Sequence, residues 1–332
     1  MQVRLRLRDH LVAHVEAWRP DLSTYAGLVS LSGAVLSMEG APTWRLIGAW
    51  LSPTLGWVAA MYGGDYFDRH LDTVAKPHRP IPSGRMRAGE ALAGMIICIG
   101  LGMIVAVILN PLNLLVVAAT TVLGVTYSKW LKARGIWGNL IRGGVTAMAF
   151  ILGTLSVRPT PPLALLPIAL VFWLHDSGSN VVGAICDQDG DRKGGYRTFP
   201  VVHGDTAALW LLVAFDVGWL AIAAGYPFAL RQPFDELAYL PYLAIATALG
   251  LTTVVMLFRA PRPIPRLDAL RAHEYLVVGR LALAAAFIAS ATSAWLAGAL
   301  LVPSAAATLL ASLKMMRRRY EPSRVPTAEV AR

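Results

Sequence analysis

Long apolar runs separated by short polar segments dominate the hydrophobicity pattern of the chain. A continuous stretch of about 18 or more apolar residues is typical of a helix that crosses a bilayer. The pattern predicts an all-α, polytopic membrane protein with about nine transmembrane helices. The predicted spans lie near residues 22–38, 44–64, 90–109, 112–128, 139–157, 162–186, 207–230, 236–258 and 275–300.

The two ends of the chain differ from this helical membrane domain, which we place at residues 21–303. Residues 1–20 alternate arginines such as Arg4 and Arg6 with apolar residues, which predicts a basic segment at the membrane interface. Residues 304–332 form a predicted C-terminal tail.

Composition agrees with a membrane protein, because 56% of the residues are hydrophobic and only 15% are charged, with a mean hydropathy of +0.54. Soluble domains carry about 25% charged residues. The net charge of +10 fits Lys and Arg in loops that face anionic lipid headgroups. Membrane lipids are therefore expected partners, and nucleic acid is not, since no basic helix or aromatic platform accompanies the charge.

The basic loops indicate an orientation. Lys and Arg collect in alternate loops, as an N-terminus-inside arrangement of nine spans requires. We therefore predict a multi-pass protein of the cell membrane with its motif-bearing loops in the cytoplasm. The basic loops are residues 65–89, 129–138, 187–205 and 259–272. The basic residues at 314–319 disagree with this rule unless residues 304–313 partly re-enter the membrane.

The first group of candidate chemical residues follows the second predicted span. Asp65, Asp68 and Asp72 are spaced i, i+3, i+7, so that they share one face of a helix. Three carboxylates on one face repel each other, and a shared divalent cation removes that repulsion. Hard oxygen ligands favour Mg²⁺. Lys76 and Arg79 follow in a proline-rich loop, where cations can hold phosphate oxygens.

A second acidic motif follows the sixth predicted span. Asp187 and Asp191 are spaced i, i+4 and can bind a second metal ion if the helix continues. The calcium loop of an EF-hand is the rival interpretation, and it is weak because the closing Glu is missing. Each acidic motif precedes basic residues, and four helices separate the two motifs. This repeated pattern indicates two related halves around one central cavity.

These motifs resemble those of the UbiA-type intramembrane prenyltransferases over nearly the whole chain. Asp68 and Asp72 match the two acids of the family motif NxxxDxxxD, and Asp187 and Asp191 match its DxxxD motif. Three further segments resemble the family: PHRPIPSG at 77–84, GDRKGGYRTFP at 190–200, and the basic loop at 127–132. Gly64 stands where the first family motif has Asn.

The resemblance implies a barrel of nine helices around a central cavity that binds Mg²⁺ and a prenyl diphosphate. The diphosphate would be ionised and the allyl cation joined to an aromatic or other lipophilic acceptor. We expect Asp68, Asp72, Asp187 and Asp191 to be catalytic and, together with Asp65, to bind the metal. The expected substrate-binding residues are Asp65, Lys76, Arg79, Tyr127, Lys129, Lys132, Arg142, Asp176, Asn180, Arg192, Lys193 and Arg197.

Three of these substrate-binding candidates are polar residues inside predicted spans. Ionisable groups within the membrane are costly, which favours a functional interpretation. Asp176 and Asn180 can line the cavity and orient the acceptor or take its proton, or can make interhelical hydrogen bonds. Arg142 can reach the diphosphate or extend to the membrane surface.

Two other functions compete with prenyl transfer. A terpene cyclase of the same fold would use the same motifs and capture the cation within one molecule, without an acceptor. A transporter is compatible with intramembrane charges and repeated halves. A transporter does not explain why both acidic motifs lie at the cytoplasmic ends of helices.

Overall fold

The computed structural model describes residues 7–38, 42–229 and 234–320 of the chain. Arg4, Arg6 and the tail residues 321–332 lie outside the described residues. The helices are α1 (Leu7–Trp18), α2 (Pro20–Ser37), α3 (Thr43–Phe67), α4 (Arg69–Ala75), α5 (Ala88–Leu109), α6 (Asn113–Thr126), α7 (Ile136–Val157), α8 (Leu166–Lys193), α9 (Phe199–Ala229), α10 (Glu236–Arg259), α11 (Arg266–Ala291) and α12 (Ala294–Tyr320).

Short elements complete the described chain. A turn of π-helix, Tyr127–Leu131, follows α6, and a 3₁₀ turn, Leu163–Leu165, precedes α8. Two two-residue strands, β1 (Arg134–Gly135) and β2 (Arg197–Thr198), pair in parallel.

The structure confirms the all-α, polytopic prediction. Seven of the described helical segments are long and apolar enough to cross a membrane. The shorter α2 and the 25-residue α3 lie where the first two predicted spans were placed. The seven segments are Ala88–Leu109, Asn113–Leu131, Ile136–Val157, Leu163–Lys193, Phe199–Phe228, Glu236–Arg259 and Arg266–Ala291.

The predicted bounds of the ninth span, 275–300, are wrong. The helix in that region begins at Arg266 and ends at Ala291, where Thr292 leaves helical geometry (φ −133°, ψ −91°), and α12 begins at Ala294. Hydropathy missed the first turns because they carry charged residues, and it continued past Thr292 because α12 is itself apolar.

Burial separates inner helices from outer ones. Most of α11 is buried, whereas α5 and α6 expose much of their apolar surface, as helices in contact with lipid do. A stack of three rings fills part of the core: Phe172 lies 5.7 Å from Phe150 and 5.6 Å from Phe287 between ring centroids. These rings join α7, α8 and α11.

Two glycines allow α2 and α7 to pack backbone against backbone. A Cβ atom at Gly153 would lie 1.8 Å from the carbonyl oxygen of Ser30, and one at Gly33 would lie 2.3 Å from that of Phe150. Any side chain at either position would force the two helices apart. Because α7 also forms a wall of the cavity, this contact fixes the position of that wall.

Candidate active site

A cavity of about 320 Å³ lies among α2, α3, α7, α8 and α11. One end, here called the motif end, is lined by Asp68, Asp187 and Asp191. The opposite end, here called the inner end, is lined by Trp57, Arg142, Asp176 and Arg280. Asp176 precedes Asp187 by eleven residues of continuous helix, which corresponds to about 16 Å along α8.

The first acidic motif lies at a break between two helices. The helix α3 ends at Phe67 and α4 begins at Arg69, while Asp68 between them has φ −83° and ψ 0°. The three carboxylates therefore do not share one continuous helix, although all three are buried. The break directs Asp68 into the cavity wall, whereas Asp65 and Asp72 lie beside the Arg79 guanidinium.

The proline-rich loop after α4 supplies cations to both acidic motifs. Arg79 Nη1 donates to Asp65 Oδ1 and to Asp72 Oδ2, each at 3.0 Å. Lys76 Nζ donates to Asp187 Oδ2 at 2.7 Å and so connects the first motif's loop to the second motif. Arg266, the first residue of α11, also reaches Asp187, at 3.3 Å.

The pairing of β1 with β2 places another lysine at the motif end. Arg134 pairs with Arg197, so the basic loop after α6 lies beside the loop that follows the second motif. Lys132, just before β1, donates to Asp68 Oδ2 at 2.5 Å. Tyr196, just before β2, donates its hydroxyl to Asp68 Oδ1 at 3.3 Å.

The charges at the motif end affect each other. Burial alone would raise the pKa of Asp68, but the positive charges of Lys132, Arg79 and Lys76 together outweigh it and lower that pKa. Burial opposes the charge of Lys132, yet the Asp68 carboxylate raises the pKa of this lysine above its usual range. Burial raises the pKa of Asp72. The Asp68–Lys132 pair is therefore ionised at neutral pH.

The second acidic motif lies on a continuous helix. The helix α8 continues to Lys193, so Asp187 and Asp191 lie one turn apart on the same face. This geometry excludes a calcium loop, which needs non-helical backbone between its ligands. Asp189 lies on another face, where 86% of its side chain is exposed, and it pairs with Arg192.

The inner end has a different composition. The Arg142 guanidinium lies 4.3 Å above the ring of Trp57, and that of Arg280 lies 5.6 Å from the same ring. Both arginines also approach the carboxylate of Asp176, at 3.6 and 3.7 Å. Thr146 on α7 donates to Asp176 Oδ2 at 2.6 Å, so this aspartate both lines the cavity and forms an interhelical hydrogen bond.

A smaller apolar chamber of about 110 Å³ adjoins the cavity. Residues of α3, α5, α6 and α7 line it, among them Phe67, Met95 and Val117. Trp57 and Arg142 of the inner end border both spaces, and so do Gly124 and Ser128, which lie in the same stretch of chain as Tyr127 and Lys132. A ligand with a charged head and an apolar tail could therefore occupy the motif end and this chamber together.

Comparison with known proteins identifies the family. The model of the UbiA prenyltransferase family matches residues 26–267. The chain belongs to the UbiA prenyltransferase family. This membership confirms the family resemblance and the enzyme class, prenyltransferase, that the sequence predicts.

Two curated relatives of this prenyltransferase carry the same name. The digeranylgeranylglyceryl phosphate synthase of Methanopyrus kandleri is 30% identical over 283 residues, which are 84% of this chain and 98% of the relative. The protein of the same name from Ignicoccus hospitalis is 34% identical over 207 residues, which are 60% of this chain and 67% of the relative.

Solved structures share the fold of this prenyltransferase. A UbiA homolog from Aeropyrum pernix aligns with a TM-score of 0.69 at 18% identity, over 81% of this chain and 98% of that chain. A UbiA homolog from Archaeoglobus fulgidus bound to DMAPP and Mg²⁺ aligns with a TM-score of 0.63 at 16% identity, over 81% and 98%.

The cavity of this prenyltransferase brings together most of the residues that the sequence predicts. Asp65 and Asp72 lie next to it, behind Arg79. Asn180 lies between two partners, accepting from Asn139 at 3.0 Å and donating to Tyr127 at 3.3 Å. The predicted residues that line the cavity are Asp68, Lys76, Arg79, Tyr127, Lys132, Arg142, Asp176, Asn180, Asp187 and Asp191.

Four predicted substrate-binding residues are exposed to the surroundings instead. Lys129 lies 4.5 Å from the ring of Trp130. Arg192, Lys193 and Arg197 are exposed at the end of α8 and in β2. Their role in binding substrate stays a prediction.

Several cavity residues were missed by the sequence reasoning. Arg280 had a usable signal, since it is an ionisable residue within a predicted span. Arg266, which contacts Asp187 beside the cavity, lies in a loop noted only as basic. Arg19, which reaches Asp65 at 3.4 Å, lies within the segment 1–20 that was interpreted only as interfacial. Trp57 and His273 also line the cavity. No pattern distinguished Trp57 from the other tryptophans.

Proposed function

We propose that this protein is a Mg²⁺-dependent intramembrane prenyltransferase. It would transfer the prenyl group of an isoprenoid diphosphate to a lipophilic acceptor that carries a phosphate group. The contact between Lys76 Nζ and Asp187 Oδ2, 2.7 Å apart, carries this proposal. This contact supports a shared site, because it joins the loop of the first acidic motif to the second motif, more than a hundred residues away in sequence.

The residues at the motif end fit a magnesium ion. Mg²⁺ prefers carboxylate oxygens and substrate phosphates, and Asp68, Asp187 and Asp191 present carboxylates to the cavity, with Asp65 and Asp72 beside them. When bound, Mg²⁺ would stabilise the negative charge of the diphosphate leaving group. Each of these acids except Asp191 has a basic partner at 3.4 Å or less.

The basic residues at the motif end have a second role in this proposal. Lys76, Arg79 and Lys132 neutralise the carboxylates and can turn to phosphate oxygens when a diphosphate enters. Phosphate contacts would hold the leaving group as the allylic C–O bond breaks. The apolar chamber beside the cavity would hold the prenyl chain and keep water from the cation.

The charges at the inner end and the name of the relatives both support an acceptor that carries a phosphate group. Arg142 and Arg280 both approach the carboxylate of Asp176, so that two positive charges lie beside one carboxylate. Such a pair favours an acceptor with an anionic group. The name of the relatives, digeranylgeranylglyceryl phosphate synthase, points to a glyceryl phosphate lipid, which we favour over an aromatic acceptor.

Product analysis tests this function. Purified protein is incubated with Mg²⁺ and prenyl diphosphates of several lengths, with a prenylated glyceryl phosphate, with an aromatic acid, or without an acceptor. We expect mass analysis to detect the glyceryl phosphate lipid with a second prenyl group attached, and chelation by EDTA to abolish this product. A cyclic hydrocarbon formed without an acceptor would instead support the terpene cyclase, and full activity in excess EDTA would exclude the metal mechanism.

We also propose that the motif-bearing loops face the cytoplasm and that residues 1–20 lie at the membrane interface. The exposed apolar residues Leu11, Val15 and Trp18 on α1 support an interfacial position. Cysteines placed at Ser83 and Arg197 in a Cys-free background should react with an impermeant thiol reagent only after the membrane is opened. Labelling of the two positions from opposite sides would contradict a shared site.

A further inference from the structure

A second cluster of metal-binding side chains lies where α1 packs on α3 and α5. His10 and His14 are spaced i, i+4 on α1, and Glu90 lies in the first turn of α5. One ligand atom from each residue lies within 4.8 Å of the other two. His10 Nε2 is 3.2 Å from Glu90 Oε2, and the two imidazole centroids are 4.9 Å apart.

Neighbouring groups hold these three side chains in place. The hydroxyl of Tyr62 on α3 lies 2.7 Å from His14 Nδ1, which leaves Nε2 of that ring available as a ligand atom. Trp18 Nε1 donates to the same hydroxyl at 2.5 Å. The backbone N–H of Arg87 donates to Glu90 Oε2 at 2.8 Å. Such outer contacts are the ones that orient histidine and carboxylate ligands in metal sites.

The donor set distinguishes this cluster from the motif end of the cavity. Two imidazoles and one carboxylate suit Zn²⁺, which accepts nitrogen and oxygen ligands in tetrahedral geometry. Mg²⁺ prefers oxygen ligands alone. The cluster is half-buried, so that water can complete the coordination.

We propose that His10, His14 and Glu90 form a binding site for one Zn²⁺ or a similar first-row divalent ion, which attaches α1 to α5. Because Tyr62 contacts His14 and lies one turn before Asp65 on α3, the bound ion would also hold α1 against the helix that carries the first acidic motif. The site is separate from the motif end, which none of its three ligands line.

The test uses the full chain in detergent, stripped of metal and kept in millimolar Mg²⁺ so that the aspartates are occupied. Co²⁺, with its visible absorption, replaces Zn²⁺ as the probe. We expect one Co²⁺ per chain, displaced by Zn²⁺. His14→Ala and Glu90→Gln should weaken binding about 100-fold, and Tyr62→Phe about 10-fold, within the range for lost ligand and outer contacts.

Three controls separate this site from other metal binding. His203→Ala removes an exposed histidine outside the cluster and should leave Co²⁺ binding unchanged. Asp68→Asn and Asp191→Asn weaken the motif end and should also leave it unchanged. In the unaltered protein, electron paramagnetic resonance of bound Cu²⁺ should show nitrogen couplings from two imidazoles, a result that needs no variant to fold.

The outcomes decide the proposal in either direction. Nitrogen couplings together with loss of Co²⁺ binding in His14→Ala support it. Binding that survives a His10→Ala, His14→Ala double variant, or that disappears in Asp68→Asn, would overturn it, as would copper bound through oxygen ligands alone. None of these results depends on which acceptor the enzyme uses, so the proposed function is tested independently.

Discussion

The motif end and the inner end of the cavity carry their charges in different ways. At the motif end, acids and bases alternate, and Asp68, Asp72 and Asp187 each lie within 3.3 Å of a basic partner. At the inner end, Arg142 and Arg280 both approach the carboxylate of Asp176. Balanced charges suit an end that exchanges its ion pairs for a metal and a diphosphate, whereas an excess of positive charge suits an end that holds one anion.

The two ends also differ in the backbone elements that carry their side chains. At the motif end, Asp187 and Asp191 lie on the continuous helix α8, whereas Asp68 and the cations that pair with these acids come from a helix break and from loops beside a short strand pair. These loops can adjust when a ligand enters. Side chains at the inner end come from the middle of α3, α7, α8 and α11, and the arginines stack on Trp57. We therefore expect the motif end to rearrange for chemistry and the inner end to select the acceptor.

The largest expected effect comes from removing a carboxylate at the motif end. Asp68→Asn or Asp191→Asn should lower kcat by at least about 100-fold, because charge stabilisation of the leaving group is lost. Acceptor binding at the inner end should remain within a few-fold. Steady-state kinetics with both substrates measures kcat and acceptor binding, and size-exclusion profiles confirm that the variants fold. Retention of full turnover in either variant would show that the motif end does not perform the chemistry.

A smaller and selective effect is expected at the inner end. Arg280→Met should raise the KM for the acceptor by about 10-fold or more, since a hydrogen bond to a charged group contributes about 1.5–3 kcal/mol. The KM for the prenyl diphosphate should not change. Arg280→Lys keeps the charge and should recover part of the loss. Equal changes in both KM values would remove the functional distinction between the two ends.

The sequence predicted the motif end much better than the inner end. Asp68, Asp72, Asp187 and Asp191 stand at fixed spacings beside basic residues, so local pattern carries the information. The inner end is formed by Trp57, Arg142, Asp176 and Arg280, which come from four helices and meet only through tertiary packing. The ninth span illustrates the same limit: hydropathy depends on apolar length, and therefore missed the charged first turns of α11, from which Arg266 reaches Asp187.

Gly64, where the family motif has Asn, offers a milder test of the motif end. It lines the cavity, and a Cβ atom there would have nothing within 4 Å, so an added side chain fits. Gly64→Asn should keep the same product and change kcat by no more than a few-fold, while Mg²⁺ affinity stays equal or improves. Loss of turnover that grows with prenyl chain length would show instead that the space at Gly64 is needed for substrate.

The smallest effect is expected outside the cavity. Lys193 is exposed at the end of α8, and Lys129 lies beside Trp130. Lys193→Ala and Lys129→Ala should each change kcat/KM by less than about 3-fold, as isolated exposed charges contribute about 0–1 kcal/mol. These variants serve as matched controls for Lys132→Ala, which removes the partner of Asp68. A loss in Lys193→Ala as large as that in Lys132→Ala would extend the binding site to the surface of α8.

A double-mutant cycle on substrate binding tests most directly whether both acidic motifs act on one diphosphate. The affinity for a non-cleavable prenyl diphosphate analogue is measured with Mg²⁺ for the unaltered protein, Asp68→Asn, Asp191→Asn and the double variant. We predict that each single change weakens binding about 10-fold or more and that the double variant is far less affected than the product of the two losses, since residues sharing one ligand are coupled. Fully multiplicative losses, or unchanged binding in either single variant, would contradict a shared site.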